Sequence, residues 1–513
     1  MARNHYSTAT FRANKIQVLA EALQEKEAHH TISNDTIIGF AKTIQGRVVI
    51  PTNPEYNKDR QCFNPAFQAF PMLIVYCVCF EDVRLSLAFA QQYNLWTVSR
   101  SGGHSLAGYS ICDGGMILDT SGLNNVYVNP IQKFAVVGAG VNFGKFNMIL
   151  NDYKLHTPGG GCPTVCVAGY MQGGGYGFTS REFGINCDNV LAFTMMLAGG
   201  KIVVANEHQN KDLFWAVRGG TGNNFGVLLD ITYQLYDLYE VSGYSIRWCI
   251  EEQTESAAQA AYLIQRHYTK NGVSKKLGQQ TVLGTDTDGK KYLEMQVIWH
   301  GTNEEGKAIL APLLALPDAE LSANMRGTYF EINEGLLENI PNVPMGVKAL
   351  SESGYIARQL EVSDWKNIID FYKTCPNTYT TVDMEGYGGA INEKIAGSNA
   401  FIHRDVYMDF FCDVFWTDDQ DRETNEKWLD SFMDFMQPYF NSHSYQNYPN
   451  RRQINYRWAY WGDYFNTLLF VKQKYDPANF FHYQQSISPY PTEEGITVSE
   501  KPSLFADKEI IYQ

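Results

Sequence analysis

The sequence predicts an α+β protein in two units, and three observations carry that reading. A buried strand, an amphipathic helix and a second strand follow one another over residues 72–100, the rhythm of a βαβ unit. Short strands dominate from residue 116 to residue 145. Beyond residue 240 strand-like and helix-like segments alternate, as in an antiparallel sheet with helices on one face. With 513 residues the chain exceeds the ~100–200 residues of a single domain. The expected division is residues 1–238, residues 239–470, and a segment of residues 471–513 that returns to the first unit.

The elements follow in order. IQVLAEALQ, within residues 12–32, spaces its apolar side chains at helical intervals. MLIVYCVCF, at 72–80, is a continuous apolar run and is expected to be a buried strand. EDVRLSLAFAQQY has the helical period, and LWTVSR returns to a strand that runs straight into SGGHS. GMILDT, VYVNP and KFAVVGAG read as short strands and NFGKFNMILNDY as a helix, which leads to a glycine-dense stretch from Thr157 to Gly177. NVLAFTMMLAGG and KIVVAN flank a Gly-Gly turn. In the second unit YSIRWCI and YLEMQVIWHG are strand-like, while TESAAQAAYLIQRHY and EEGKAILAPLLALP are helix-like. LLFVKQKYDPANFFHYQQSI resumes a buried pattern near the end.

Composition narrows the function classes. Hydrophobic residues are 44% and charged residues 19%, an ordinary globular balance with no case for disorder. A formal net charge of -14 repels phosphate backbones and anionic lipid, so no nucleic-acid partner is expected. No run of ~18 or more apolar residues is present, so no membrane span is expected. The first residues lack a basic start before an apolar stretch, which makes a soluble, cytoplasmic protein the default expectation. Of the ten cysteines, Cys77 and Cys79 form a CxC and Cys162 and Cys166 a CxxxC. Neither has a second Cys/His pair at zinc spacing, so no metal site is expected. Aromatic residues are 14%, with 32 tyrosines, which suits a flat or sugar-like ligand and equally an aromatic-rich core.

Two glycine motifs carry the chemistry. In Arg100-Ser101-Gly102-Gly103-His104-Ser105, consecutive glycines after a strand let backbone N–H groups converge on an anion such as a pyrophosphate. The same hexapeptide also reads as a turn with a surface histidine. In Pro158-Gly159-Gly160-Gly161-Cys162-Pro163-Thr164-Val165, continuing through Gly169 to Gly173-Gly174-Gly175-Tyr176-Gly177, the backbone can approach a large planar or phosphorylated ligand closely. Cys162 stands on a side-chain-poor loop, although a lone cysteine is commonly a buried structural thiol. VVGAGVNFG has the spacing GxGxxxG rather than GxGxxG and lacks the acidic residue that follows in dinucleotide folds, so no nicotinamide cofactor is expected.

Taken together, SRSGGHS, GGGCPTVCVAGYMQGGGYGFTSREFGINCDNV, DLFWAVRGGTGNNFG, GYGGAI and KYDPANFF resemble the landmarks of the berberine bridge enzyme-like flavoproteins, within the wider vanillyl-alcohol oxidase group. The resemblance covers residues 71–230 and 440–490. It implies an FAD-binding unit of two small α/β subdomains and a substrate unit whose sheet roofs the flavin. It implies FAD held by two covalent bonds, from His104 to the 8α carbon and from Cys162 to C6. It places Arg100, Ser101, Gly102, Gly103, Ser105, Gly159, Val165, Gly169, Gly173, Gly174, Gly175, Val227 and Asn447 around the cofactor. Two tethers hold the ring without enclosing it, which leaves the pocket open to bulky substrates.

The resemblance also assigns the chemistry. Tyr445-Gln446-Asn447-Tyr448 matches the family's Tyr-x-Asn motif, whose tyrosine removes a hydroxyl proton as hydride leaves the adjacent carbon. A tyrosine titrates near ~10, so a base in this role needs a cation or a hydrogen-bond donor beside it. Arg451, Arg452, His403 and Arg404 are the sequence candidates. Val165 is valine where family oxidases tend to have valine and dehydrogenases leucine, which implies access for dioxygen. The expected partners are a small alcohol, sugar or secondary metabolite and dioxygen. The implied activity is oxidation of an alcohol or hemiacetal carbon with hydrogen peroxide as product. A dehydrogenase, an oxidative cyclase of secondary metabolism and a non-catalytic flavin-fold binding or coat protein are the alternatives. The chain departs from the family pattern at Cys166, Ala168, Tyr170 and Tyr464.

Overall fold

The computed structural model describes residues 32–251, 254–270, 272–337 and 347–488. Apart from Ile32, the helix expected over residues 12–32 lies outside the described residues, as do residues 489–513.

The first unit opens as the sequence predicts. Leu73–Tyr76 is an apolar strand inside a four-stranded sheet. The apolar run stops being a strand after Tyr76 because Asp82 folds back and accepts hydrogen bonds from the backbone of Val78 (3.0 Å), Gln45 (2.8 Å) and Gly46 (3.1 Å). The helix Phe80–Gln92 starts there and buries Val83, Leu87 and Ala90, positions that share one helical face. It feeds the strand Thr97–Arg100, and both flanking strands pair in parallel with Met116–Asp119. Arg47–Val49 completes this sheet antiparallel to Leu73–Tyr76. A five-stranded antiparallel sheet follows, in the order Val126–Asn129, Phe134–Gly138, Val227–Gln234, Val190–Met196, Ile202–Asn206.

The second unit is a seven-stranded antiparallel sheet. Its order is Glu320–Gly327, Val241–Cys249, Lys291–Trp299, Leu277–Thr285, Thr381–Gly386, Met408–Trp416, Lys348–Ile356. Alternation along these strands divides the sheet into two unlike faces. Ile246, Met295, Leu283, Met384, Phe410 and Cys412 form a core with the helices Thr254–His267, Val362–Tyr372 and Arg422–Met436. The opposite face carries, in one cross-strand row, Ser245, Gln296, Gln280, Glu385 and Asp409. Ser245, Gln296, Glu385 and Asp409 are nonetheless buried.

That polar face turns toward the first unit. Tyr445 donates its backbone N–H to Ser353 Oγ (3.2 Å), Tyr448 donates its phenol to Glu385 (3.1 Å), and the Tyr448 ring packs on Phe411 with centroids 4.1 Å apart. The sequence division returns the chain to the first unit after residue 470. In the structure Tyr445, Trp461 and Leu468 already lie in the core built on the five-stranded sheet, beside Val137, Phe193 and Ile231. A buried two-pronged ion pair ties the units together: Arg404 grips both carboxylate oxygens of Asp188, at 2.7 and 2.8 Å.

Candidate functional site

The strand Thr97–Arg100 ends at a guanidinium that is already committed. Arg100 Nε donates to Asp119 at 2.6 Å and its Nη1 to the Asp59 carbonyl at 2.9 Å, so Arg100 braces the loop that follows rather than offering a free charge to a ligand. Gly103 turns that loop with φ of +70°, a left-handed conformation that favours glycine. At Gly102 a Cβ would sit 3.1 Å from Cys166 Sγ and 3.3 Å from the Thr164 carbonyl. The first glycine motif is therefore pressed against the second, and the Ser101 side chain hydrogen-bonds the Cys166 sulfur. Two loops far apart in sequence meet because only glycine leaves room for them to do so.

Around this junction the two candidate attachment residues are both reachable. His104 is half-buried and stacks on Phe63, with centroids 4.5 Å apart. Burial holds its imidazole below the usual histidine range, which favours the neutral ring with a free nucleophilic nitrogen. Cys162 is exposed, with Thr164 Oγ1 at 3.4 Å from its sulfur. A cavity of about 290 Å³ opens beside the loop, lined by Ser101, Gly102, Gly103, Tyr76 and Phe63 among others. Buried polar atoms without partners flank the two motifs: Tyr109 Oη, Ser110 Oγ and Thr157 Oγ1. Asn333 reaches across from the second unit to donate to the Gly161 carbonyl at 3.0 Å, and its own Oδ1 has no partner. Buried groups of this kind ordinarily find hydrogen bonds, so they mark where a large polar cofactor fits.

The remaining predicted cofactor residues fall into three groups. Gly159, Gly173, Gly174 and Gly175 form a close-packed wall, where Gly173 abuts the Asn447 amide and Gly159 the Phe143 ring. Val165 is half-buried at the start of the wall, and its carbonyl accepts from Phe143 N–H at 3.0 Å. Ser105 spends its hydroxyl on the Tyr109 N–H (3.0 Å) and so shapes the turn after His104. Gly169 lies on the short helix Val167–Gln172 with open space around it, and Val227 is buried in the core beside Met196 and Leu229. The side chain of Val227 is thus a packing group.

Tyr445 is buried against this wall. Its phenol oxygen accepts the Gly175 N–H at 2.6 Å and the Asn447 carboxamide N–H at 3.0 Å. Asn447 is itself fixed by the Tyr170 carbonyl at 3.0 Å. Burial pushes Tyr445 well above the usual tyrosine range, and the carboxylates of Glu385 and Asp409 push the same way, while the two donors oppose them. None of the expected cations contacts the phenol. Arg451 donates to the Ala107 carbonyl (2.6 Å) and covers the Phe67 ring, Arg452 pairs with Glu352 and Asp430, and Arg404 is held by Asp188. His403 stacks on Tyr355 and meets Gln446 at 3.1 Å, kept neutral by burial. The donors are a backbone amide and a carboxamide, which charge counting along a sequence does not reveal.

Sequence reasoning also missed the polar face of the large sheet, Asn333 and Phe63. The face was visible in principle, since TVDMEG and MDFFCDVFW alternate acidic and apolar residues. Tyr170, one of the departures from the family pattern, wedges its ring between Gly160 and Gly175 and bonds the Tyr176 carbonyl. Tyr464 bonds the Ala396 carbonyl at 3.2 Å.

Comparison with known families agrees with this geometry. The family described as FAD binding domain matches residues 71–206, and the family described as Berberine and berberine like matches residues 444–488. The chain is thus similar to the berberine bridge enzyme-like FAD-linked oxidoreductases in both of these segments and in fold. The first match holds both glycine motifs, and the second holds Tyr445 and Asn447. The FAD-linked oxidoreductase YgaK of Bacillus subtilis is 26% identical over 452 residues, 87% of this chain and 97% of that protein. The carbohydrate oxidase of Microdochium nivale is 25% identical over 92% of this chain and 99% of that one. The solved structure of Physcomitrella patens BBE-like 1 is 26% identical and superposes with a TM-score of 0.81, covering 89% of this chain and 100% of that chain. Among the described residues no helix is long and apolar enough to cross a membrane, and no three His, Cys, Asp or Glu side chains gather as metal ligands.

Proposed function

We propose that this chain is an FAD-dependent oxidase of an alcohol or hemiacetal carbon, with Tyr445 as the base and the cofactor bonded to His104 and Cys162. The observation that carries the reading is the phenol oxygen of Tyr445, which accepts two N–H donors beside the glycine wall. Donors aimed at that oxygen favour the phenolate, the form that takes a proton. The substrate's C–H and O–H bonds become a carbonyl as the hydroxyl proton moves to Tyr445 and a hydride leaves the carbon. The chemistry FAD supplies when bound is hydride acceptance and reoxidation by dioxygen, giving hydrogen peroxide. Half-buried Val165 at the wall supports access for dioxygen. The polar sheet face orients the substrate, and the packed tyrosines around residues 445–448 keep water from the reacting carbon.

The test is an anaerobic panel of alcohols and sugars, read by bleaching of the protein's yellow absorbance, followed by a peroxide assay in air. Bleaching that reverses in air with stoichiometric peroxide is the expected result. Bleaching that persists in air and reverses only with an electron carrier makes the protein a dehydrogenase and refutes the oxidase reading.

A further inference from the structure

The buried polar face of the seven-stranded sheet is charged on one side of the ledger only. Asp383 and Glu385 lie on the strand Thr381–Gly386, and Asp409 and Asp413 on Met408–Trp416, all turned to the same face by the period of two. Glu385 and Asp409 stand directly opposite each other in register, where Cβ atoms are ~4.5–5.5 Å apart, so that the two carboxyls repel once ionised and keep their protons until a cation joins them. The one lysine or arginine that the described strands place on this face is Arg247, and Glu294 takes it at 2.7 Å. Asp383 is bonded by Gln280 (2.9 Å) and Thr381, Asp413 by Ser351, and Glu385 by Tyr448 (3.1 Å). Glu385 Oε2 has no partner, and no side chain donates to either oxygen of Asp409, although Asp409 is 0% exposed.

We propose that this face binds a cationic group of the substrate, a protonated primary or secondary amine, between Glu385 and Asp409. The donors missing from Asp409 and Glu385 are what an ammonium brings, and its charge offsets the cross-strand repulsion. A carboxylate or phosphate on the substrate finds no free cation on this face among the described strands. A divalent metal is a poorer match, because no three of the described acidic side chains converge on one point. The position also couples to the base. Glu385 and Asp409 both oppose ionisation of Tyr445, so an ammonium bound between them removes that opposition and makes the phenol a better proton acceptor. The inference rests on the reading of Tyr445 as the base only for this coupling and for which end of the substrate reacts.

The test uses the purified protein with its cofactor and three matched probes: benzylamine, benzyl alcohol and benzoate. Binding is measured by calorimetry without oxygen, over a pH range in which benzylamine stays protonated. At neutral pH benzylamine should bind about tenfold or more tightly than benzyl alcohol, with benzoate weakest. That advantage should grow with pH as the carboxyls ionise. Glu385→Gln with Asp409→Asn should bring the amine to within about threefold of the alcohol. If those variants do not fold, the pH dependence in the unaltered protein decides the matter. Equal binding of amine and alcohol, no binding of the amine, or an advantage that is flat with pH overturns the proposal, as does an advantage that survives in the folded double variant. Calorimetry needs no turnover. An amine advantage without any oxidation therefore sinks only the Tyr445 reading, and oxidation that requires Tyr445 without an amine advantage sinks only this one.

Discussion

At the scale of single residues, the proposed function rests on three side chains with different demands. His104 needs a neutral ring, which burial provides, and Cys162 needs exposure, which its loop provides. If both are tethers, His104→Ala and Cys162→Ala should each keep the colour on acid-precipitated protein, while the double variant should release it to the supernatant. Complete release from either single variant refutes two bonds. Tyr445 needs its two donors. Tyr445→Phe preserves the packing but removes the proton acceptor, and kcat should fall by ~10²–10⁴ with the cofactor still bound. A kcat within a few fold of the unaltered protein moves the base elsewhere.

The element that matters most is the pair of strands Thr381–Gly386 and Met408–Trp416. Burial lifts Glu385 to about 8, burial and Asp413 lift Asp383 to about 7, and burial lifts Asp413 to about 6. These groups hold protons in the folded state that the unfolded chain gives up near ~4. Folding is therefore favoured at the acidic end of that window, and stability falls as pH rises from about 4 to about 8. Thermal unfolding of the protein without substrate should show a falling Tm across this range, flattened by Asp383→Asn and Glu385→Gln. A Tm that rises through the window in the unaltered protein contradicts the assignment of raised acids.

For the whole molecule, the relation between the two units decides the candidate site, because the glycine wall and the polar sheet face belong to different units. Asp188 and Arg404 hold them together. Burial pushes Asp188 upward, but Arg404 outweighs it and keeps the carboxyl below its usual range. Its contribution is thus complete at neutral pH and lost as pH falls through the lowered value. Arg404→Met leaves a buried carboxylate unpaired and should cost about 3–5 kcal/mol in denaturant unfolding, without altering the cofactor loops. An unchanged midpoint shows that the clamp contributes nothing.

Much of this was legible along the chain. The helical period of EDVRLSLAFAQQY and the apolar run before it fix a βαβ unit, because burial of a stripe or a face is a local pattern. The two glycine motifs announce a close backbone approach for the same reason, since a missing side chain is a property of the sequence itself. Three things were decided only in three dimensions. Gly102 meets Cys166 across loops that are distant in sequence; Tyr445 is served by a backbone amide instead of an arginine; and Asp409 is left facing Glu385 without a donor. Each depends on which surfaces come together after folding. Local periodicity sets which side of an element is apolar, but not what the polar side will meet.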